Sequence, residues 1–118
     1  MIPILKKKVG ASVSNSFVFF YAPGFKRVEW PGAEIKFFKN YLILEMPFMQ
    51  VFKIKYYQIS LIKKSFGGVT IKHKNPKVGK YVYLWYPLLK KRNLFEEIAS
   101  AVKKNKLKIK MKFKEKEK

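Results

Sequence analysis

Gln50-Val51-Phe52-Lys53-Ile54-Lys55-Tyr56 sets Phe52, Ile54 and Tyr56 on one side of an extended chain and Lys53 and Lys55 on the other. A period of two, carried by aromatic and β-branched residues, predicts a strand with one face in a core and one in water. The same reading extends in both directions. Strands are expected at Phe17 to Tyr21, Ala33 to Phe38, Tyr41 to Met46, Gln50 to Tyr56, Ile59 to Lys64, Val69 to Lys74 and Tyr81 to Tyr86. Turn residues separate them: Pro23-Gly24, Pro31-Gly32, Lys39-Asn40, Pro47, Gly67-Gly68 and Asn75-Pro76. Val69, Ile71 and His73 alternate with Thr70, Lys72 and Lys74, so the lysines of this strand and of Gln50 to Tyr56 are expected to lie side by side.

After Pro87 the period changes. Phe95, Ile98, Ala99 and Val102 form the stripe of an amphipathic helix over Leu94 to Val102. Asn93 and Glu96 fit a capping box, and Glu96, Glu97, Lys103 and Lys104 complement the helix dipole at its two ends. From Leu107 to Lys114 the period returns to two, with Leu107, Ile109, Met111 and Phe113 opposite Lys108, Lys110, Lys112 and Lys114. That pattern fits an edge strand, or an arm whose apolar side enters a membrane. Residues 1–104 therefore read as a single domain and 105–118 as a Lys-rich C-terminal tail or edge strand.

The 118 residues carry 27 Lys and Arg against seven Glu and no Asp, a formal net charge of +20. Residues 103–118 hold +7 of it, as nine Lys against two Glu. A charge this large calls for an anionic counterpart: a membrane surface, an acidic protein or a nucleic acid. Lys exceeds Arg 25 to two, which favours diffuse attraction over bidentate base reading. A Lys-rich chain without cysteine also fits a thermophilic source, and it holds neither disulfides nor thiolate metal sites. Met1 to Leu5 precede Lys6, Lys7 and Lys8, the reverse of a secretory leader, and an apolar run such as Phe17 to Ala22, which no other exceeds, is too short to span a bilayer. A cytoplasmic protein is expected, with peripheral association with a membrane.

Catalysis is not expected. The chain lacks Asp, has one histidine, and shows neither a metal spacing nor a phosphate loop, so no cofactor is implied. His73 reads as a structural residue on the apolar side of its strand, and Gly67-Gly68 as a hairpin turn. Tyr81, Tyr83 and Trp85 alternate with Val82, Leu84 and Tyr86, a strand apolar on both faces. One set is expected to line the core and the other to be covered, or to act as a stacking platform.

Seven strands followed by one helix resemble the pleckstrin-homology-like superfold of the bacterial PH and GRAM type. The resemblance is carried by Asn40-Tyr41-Leu42-Ile43-Leu44, by Phe52 to Ile59, by Phe66-Gly67-Gly68-Val69-Thr70-Ile71 and by the helix, over residues 30 to 104. It implies a mainly β fold, a seven-stranded antiparallel barrel or bent sheet capped by a C-terminal α-helix, in a family whose members bind phosphoinositides, other lipids or peptides. Phosphoinositide-binding members carry spaced basic residues on the first two strands and the loop between them. Here only Lys26, Arg27 and Lys36 fall there, so that pattern is not met.

The expected function is a non-catalytic binding or scaffolding module at an anionic membrane surface. The expected contact residues are Lys103, Lys104, Lys106, Lys108, Lys110, Lys112 and Lys114, then Lys53, Lys55, Lys72 and Lys74, then Lys26 and Arg27. The alternatives are a nucleic-acid binder, or an adaptor that pairs with a protein partner or a second copy through the Leu107 to Phe113 edge.

Overall fold

The computed structural model describes residues 2–14, 26–47, 50–65, 68–76, 78, 81–86 and 93–112. Seven antiparallel strands form one open, bent sheet: β1 (Leu5–Ser14), β2 (Lys26–Phe37), β3 (Tyr41–Met46), β4 (Gln50–Lys55), β5 (Ile59–Ser65), β6 (Gly68–His73) and β7 (Tyr81–Trp85). One helix, α1 (Leu94–Lys104), follows, and a two-residue strand, β8 (Met111–Lys112), joins the sheet in parallel beside β5. The order across the sheet is β4-β3-β2-β1-β7-β6-β5-β8.

The expected fold class is therefore the observed one, mainly β with a C-terminal helix, and the strands from Tyr41 onward lie where the alternation puts them. The first strand does not. β1 begins at Leu5, while the Phe17 to Tyr21 run and the Pro23-Gly24 turn lie outside the described residues. Two features hide β1. Its leading lysines read as a solvated run, and from Val9 to Ser14 every residue is buried, so no wet face remains to alternate with a dry one. Pairing with β2 on one side and β7 on the other, this central strand uses small residues because both its faces are covered.

Pro31-Gly32 also does something other than end a strand. Val9 pairs with Ala33 and Ala11 with Val28, so Gly10 alone faces the four residues Glu29 to Gly32 of β2. The extra residues form a bulge, with a cis peptide at Trp30-Pro31, and the strand continues beyond it. Thr70, expected on the wet face of β6, is buried, because the outer side of β6 beside β7 is covered as well.

The concave face of the sheet holds the core. Val9, Ile35, Leu42, Leu44, Ile54, Ile62, Ile71, Val82 and Leu84 are all essentially inaccessible, and α1 closes over them with Leu94, Phe95, Ile98, Ala99 and Val102. Asn93 caps the helix by accepting the Glu96 N–H at 3.3 Å. At the other end, the Leu107 N–H reaches the Val102 carbonyl at 2.9 Å and the Lys106 N–H reaches the Lys103 carbonyl at 3.3 Å. This is the paired-bond stop of a Schellman motif, with Lys106 in the left-handed region at φ 53°. The motif turns the chain sharply and buries Leu107 in the core; Ile109 then packs against the core, and the Ile62 N–H donates to the Lys110 carbonyl at 2.9 Å.

The segment after the helix is thus part of the packed domain. Leu107→Ala should destabilise the protein by about 2 to 4 kcal/mol, the range for emptying a buried leucine site. Urea unfolding checks this, and a loss under about 1 kcal/mol would place Leu107 outside the core.

Candidate anion-binding site

Among the described residues the ion pairs draw on three cations. Lys7 lies 3.6 Å from Glu97, Arg27 lies 2.7 Å from Glu29, and Lys36 lies 2.9 Å from Glu45 and 3.9 Å from Glu34. The hydrogen bond from Lys36 to Glu45 and the charges of Glu45 and Glu34 hold its ammonium pKa above the usual lysine value, against a smaller opposing effect of burial. Lys36 is therefore spoken for. Glu97 also accepts the Tyr86 hydroxyl, which ties the helix to the end of β7.

The other expected contact lysines face outward. Lys53, Lys55, Lys72, Lys74, Lys103, Lys104, Lys106, Lys108 and Lys110 are exposed. Lys26 and Lys112 belong to strands whose side chains are not described at those positions, and Lys114 and Phe113 lie outside the described residues. Lys53 and Lys55 do not stand beside Lys72 and Lys74 in the sheet, contrary to expectation, because β4 is one edge and β6 lies between β7 and β5. The bend of the sheet joins only their ends. Asn75 Nδ2 donates to the Lys53 carbonyl at 3.0 Å, and the Lys74 N–H donates to the Gln58 carbonyl at 2.8 Å.

At this end a cleft of about 490 Å³ opens between the β2–β3 turn, the 3-10 turn Tyr56–Gln58 and the segment leaving α1. Lys39, Lys55, Lys106 and Lys108 line it, and among the described residues no carboxylate does. Tyr56 and Leu107 give it buried apolar walls, while the Tyr57 ring, 80% exposed, stands at its edge. The Tyr56 hydroxyl donates to the Phe38 carbonyl, and Lys53 sits 4.3 Å from the centre of the Tyr41 ring. The sequence alone singled out Lys55, Lys106 and Lys108 but not Lys39, Tyr41 or Tyr57. Their convergence depends on the turn after α1, whose left-handed residue is a lysine and so carries no glycine marker.

Burial pushes the Tyr56 phenol above its ordinary range, with a lesser contribution from Tyr41. Burial likewise raises Tyr83, with Arg27 pulling it back. The folded state thus holds these protons longer than the unfolded chain, which ionises near pH 10. Their stabilisation is complete below that pH and is lost as pH rises toward the folded values; the raised Lys36 has the same sign. Stability should fall above about pH 10, and less steeply in Tyr56→Phe, although that variant is weaker at neutral pH through the lost hydrogen bond. Denaturant midpoints measured across the alkaline range check this, and equal slopes in the two proteins would remove Tyr56 as the cause.

The second aromatic group lies on the outer face of β7. Val82, Leu84 and Tyr86 line the core, and Tyr81, Tyr83 and Trp85 are half-buried outside. Tyr83 stacks on Trp85 with centroids 5.2 Å apart, and the Arg27 guanidinium lies 4.5 Å over the Trp85 ring. His73 is buried, and its Nδ1 accepts the Asn75 N–H at 3.1 Å. Among the described residues no three His, Asp or Glu side chains gather as metal ligands, and no helix is long and apolar enough to cross a membrane. Comparison with family models, curated proteins and solved structures finds no match to this chain.

Proposed function

We propose that this chain is a non-catalytic binding module of the pleckstrin-homology-like type that associates peripherally with an anionic membrane surface in the cytoplasm. One observation carries the reading. The described carboxylates are largely consumed by Lys7, Arg27 and Lys36, which leaves the lysines of β4, β6 and the segment after α1 exposed, with Lys55, Lys106 and Lys108 brought to one cleft. The strand order, with one helix following the seventh strand, supports the assignment to that superfold. Each lysine held near an acidic bilayer contributes about 1 kcal/mol, so several acting together suffice for micromolar binding.

Two features favour a membrane over nucleic acid. Arg27 and Tyr83 pack against the Trp85 ring, which counts against that indole as a base-stacking surface. Lysine also outnumbers arginine, which suits diffuse attraction. Leu107 and Ile109 turn inward, so the insertion these two residues could supply is withdrawn and the proposed contact rests on charge.

Co-sedimentation of the full chain with neutral and acidic vesicles across a salt series tests this. Capture by acidic vesicles alone, weakening as salt rises, is the expected result. Tighter binding to duplex DNA at equal salt, with a log-log slope of about −0.9 per phosphate contact, would give the surface to nucleic acid instead.

A further inference from the structure

We infer that the cleft beside Tyr57 is a discrete binding site for a small molecule that joins a polyphosphate to a flat ring, of the nucleoside polyphosphate class. Lys55, Lys106 and Lys108 serve both readings, but this inference goes beyond the membrane one, since it requires a single saturable site rather than an open basic surface.

Three features meet in the cleft, two of them sharing Lys106. The first is charge: Lys39, Lys55, Lys106 and Lys108 line a space of about 490 Å³ with no carboxylate among its described lining residues. That size lies within the range of small-molecule sites. Lysine ammonium groups serve phosphate oxygens as movable point charges, without the fixed fork that arginine would impose.

The second feature is the backbone of Lys106. At φ 53° it occupies the position after a helix where glycine is favoured, and a side chain there strains the chain. A departure from the locally preferred residue is expected where a side chain is needed for function. Here the strained position belongs to a lysine that lines the cleft.

The third feature is aromatic. Tyr57 is 80% exposed, whereas Tyr56, one residue earlier, is buried. Its ring borders the same cleft and offers a face on which a base can stack.

The carbonyl end of α1 borders this space and would repel an anion, but three of its carbonyls are taken up. The Ala101 carbonyl accepts the Asn105 N–H and Nδ2, both at 3.0 Å, and the Val102 and Lys103 carbonyls are taken by the turn.

The test titrates the full chain with metal-free ATP, pyrophosphate and adenosine at near-physiological ionic strength, with calorimetry as the readout. ATP is expected to saturate one site and to bind more tightly than either fragment. Tyr57→Ala should weaken ATP about tenfold and leave pyrophosphate unchanged. Lys106→Gly should weaken ATP and pyrophosphate about fivefold each while raising the unfolding temperature, since it removes a charge and relieves the turn at once. A variant more stable than the parent cannot have lost its ligand by unfolding. Lys55→Gln carries the same test if Lys106→Gly folds poorly. Lys8→Ala, a distant exposed lysine, should leave ATP affinity unchanged. Absence of saturation would overturn the proposal, as would an equal loss in Lys8→Ala and the cleft variants. An unchanged ATP-to-pyrophosphate ratio in Tyr57→Ala would overturn the ring-bearing ligand.

Discussion

Gly68→Ala should abolish folding at 37 °C or cost well over about 3 kcal/mol, beyond the usual price of overpacking. A Cβ on Gly68 would lie 1.8 Å from the Leu84 carbonyl oxygen and 2.8 Å from Trp85 Cα. Those are backbone atoms of the neighbouring strand, so relief requires β6 and β7 to part. Gly10→Ala is the informative comparison. Its Cβ would meet the Trp85 indole at 2.3 Å, a side chain that can move, so the loss should be smaller. Gly10, Trp85 and Gly68 form one row across β1, β7 and β6, with the indole filling the space over Gly10 and the β7 backbone the space over Gly68. Urea unfolding of the two variants reads the order, and a Gly68→Ala protein as stable as Gly10→Ala would disprove the close approach of the strands.

Replacing Lys106, Lys108 and Lys110 together with glutamine should weaken binding to acidic vesicles by on the order of 100-fold, at about 1 kcal/mol per lysine. All three side chains are exposed, and the apolar neighbours that anchor the segment, Leu107 and Ile109, are left in place. Deleting the segment would be a poorer experiment, because it removes a core residue and the helix stop along with the charge. Replacing Lys6 and Lys8, exposed at the start of β1, provides the control. If that pair costs as much per charge as the triple variant, binding follows net charge and not a directed surface.

Much of this architecture was legible in the residues. From Tyr41 to Trp85 the strands face water on one side for much of their length, and alternation records that directly, as in Lys53 and Lys55 against Phe52 and Ile54. The helix announced itself through Asn93, its apolar stripe and its terminal charges. What stayed hidden was burial on both faces. β1 has no exposed residue after Lys8, and Thr70 is covered on the outer side of its strand, so polar identity and position disagree there. The bulge opposite Gly10 was hidden for another reason, since Pro and Gly mark a turn and an interruption within a strand alike. The candidate site was legible as charge but not as place. Lys39 and Lys108 are far apart in the chain and meet only because α1 ends in a tight left-handed turn.

The position of β1 between β2 and β7 governs how quickly the molecule can form. β4, β3 and β2 make one run of neighbouring hairpins, and β5 and β6 with β7 make another; among the described residues the ladder joins the two runs only through β1. Bringing Ala11 opposite Leu84 closes a loop of about 70 residues, an entropic barrier that local hairpins never meet. On the ribosome, β1 emerges early and waits for β7 to be made. Until then the edge of β1 that will face β7 is bare, which is when an aggregation-sensitive intermediate is most exposed and when the surrounding positive charge keeps nascent chains apart.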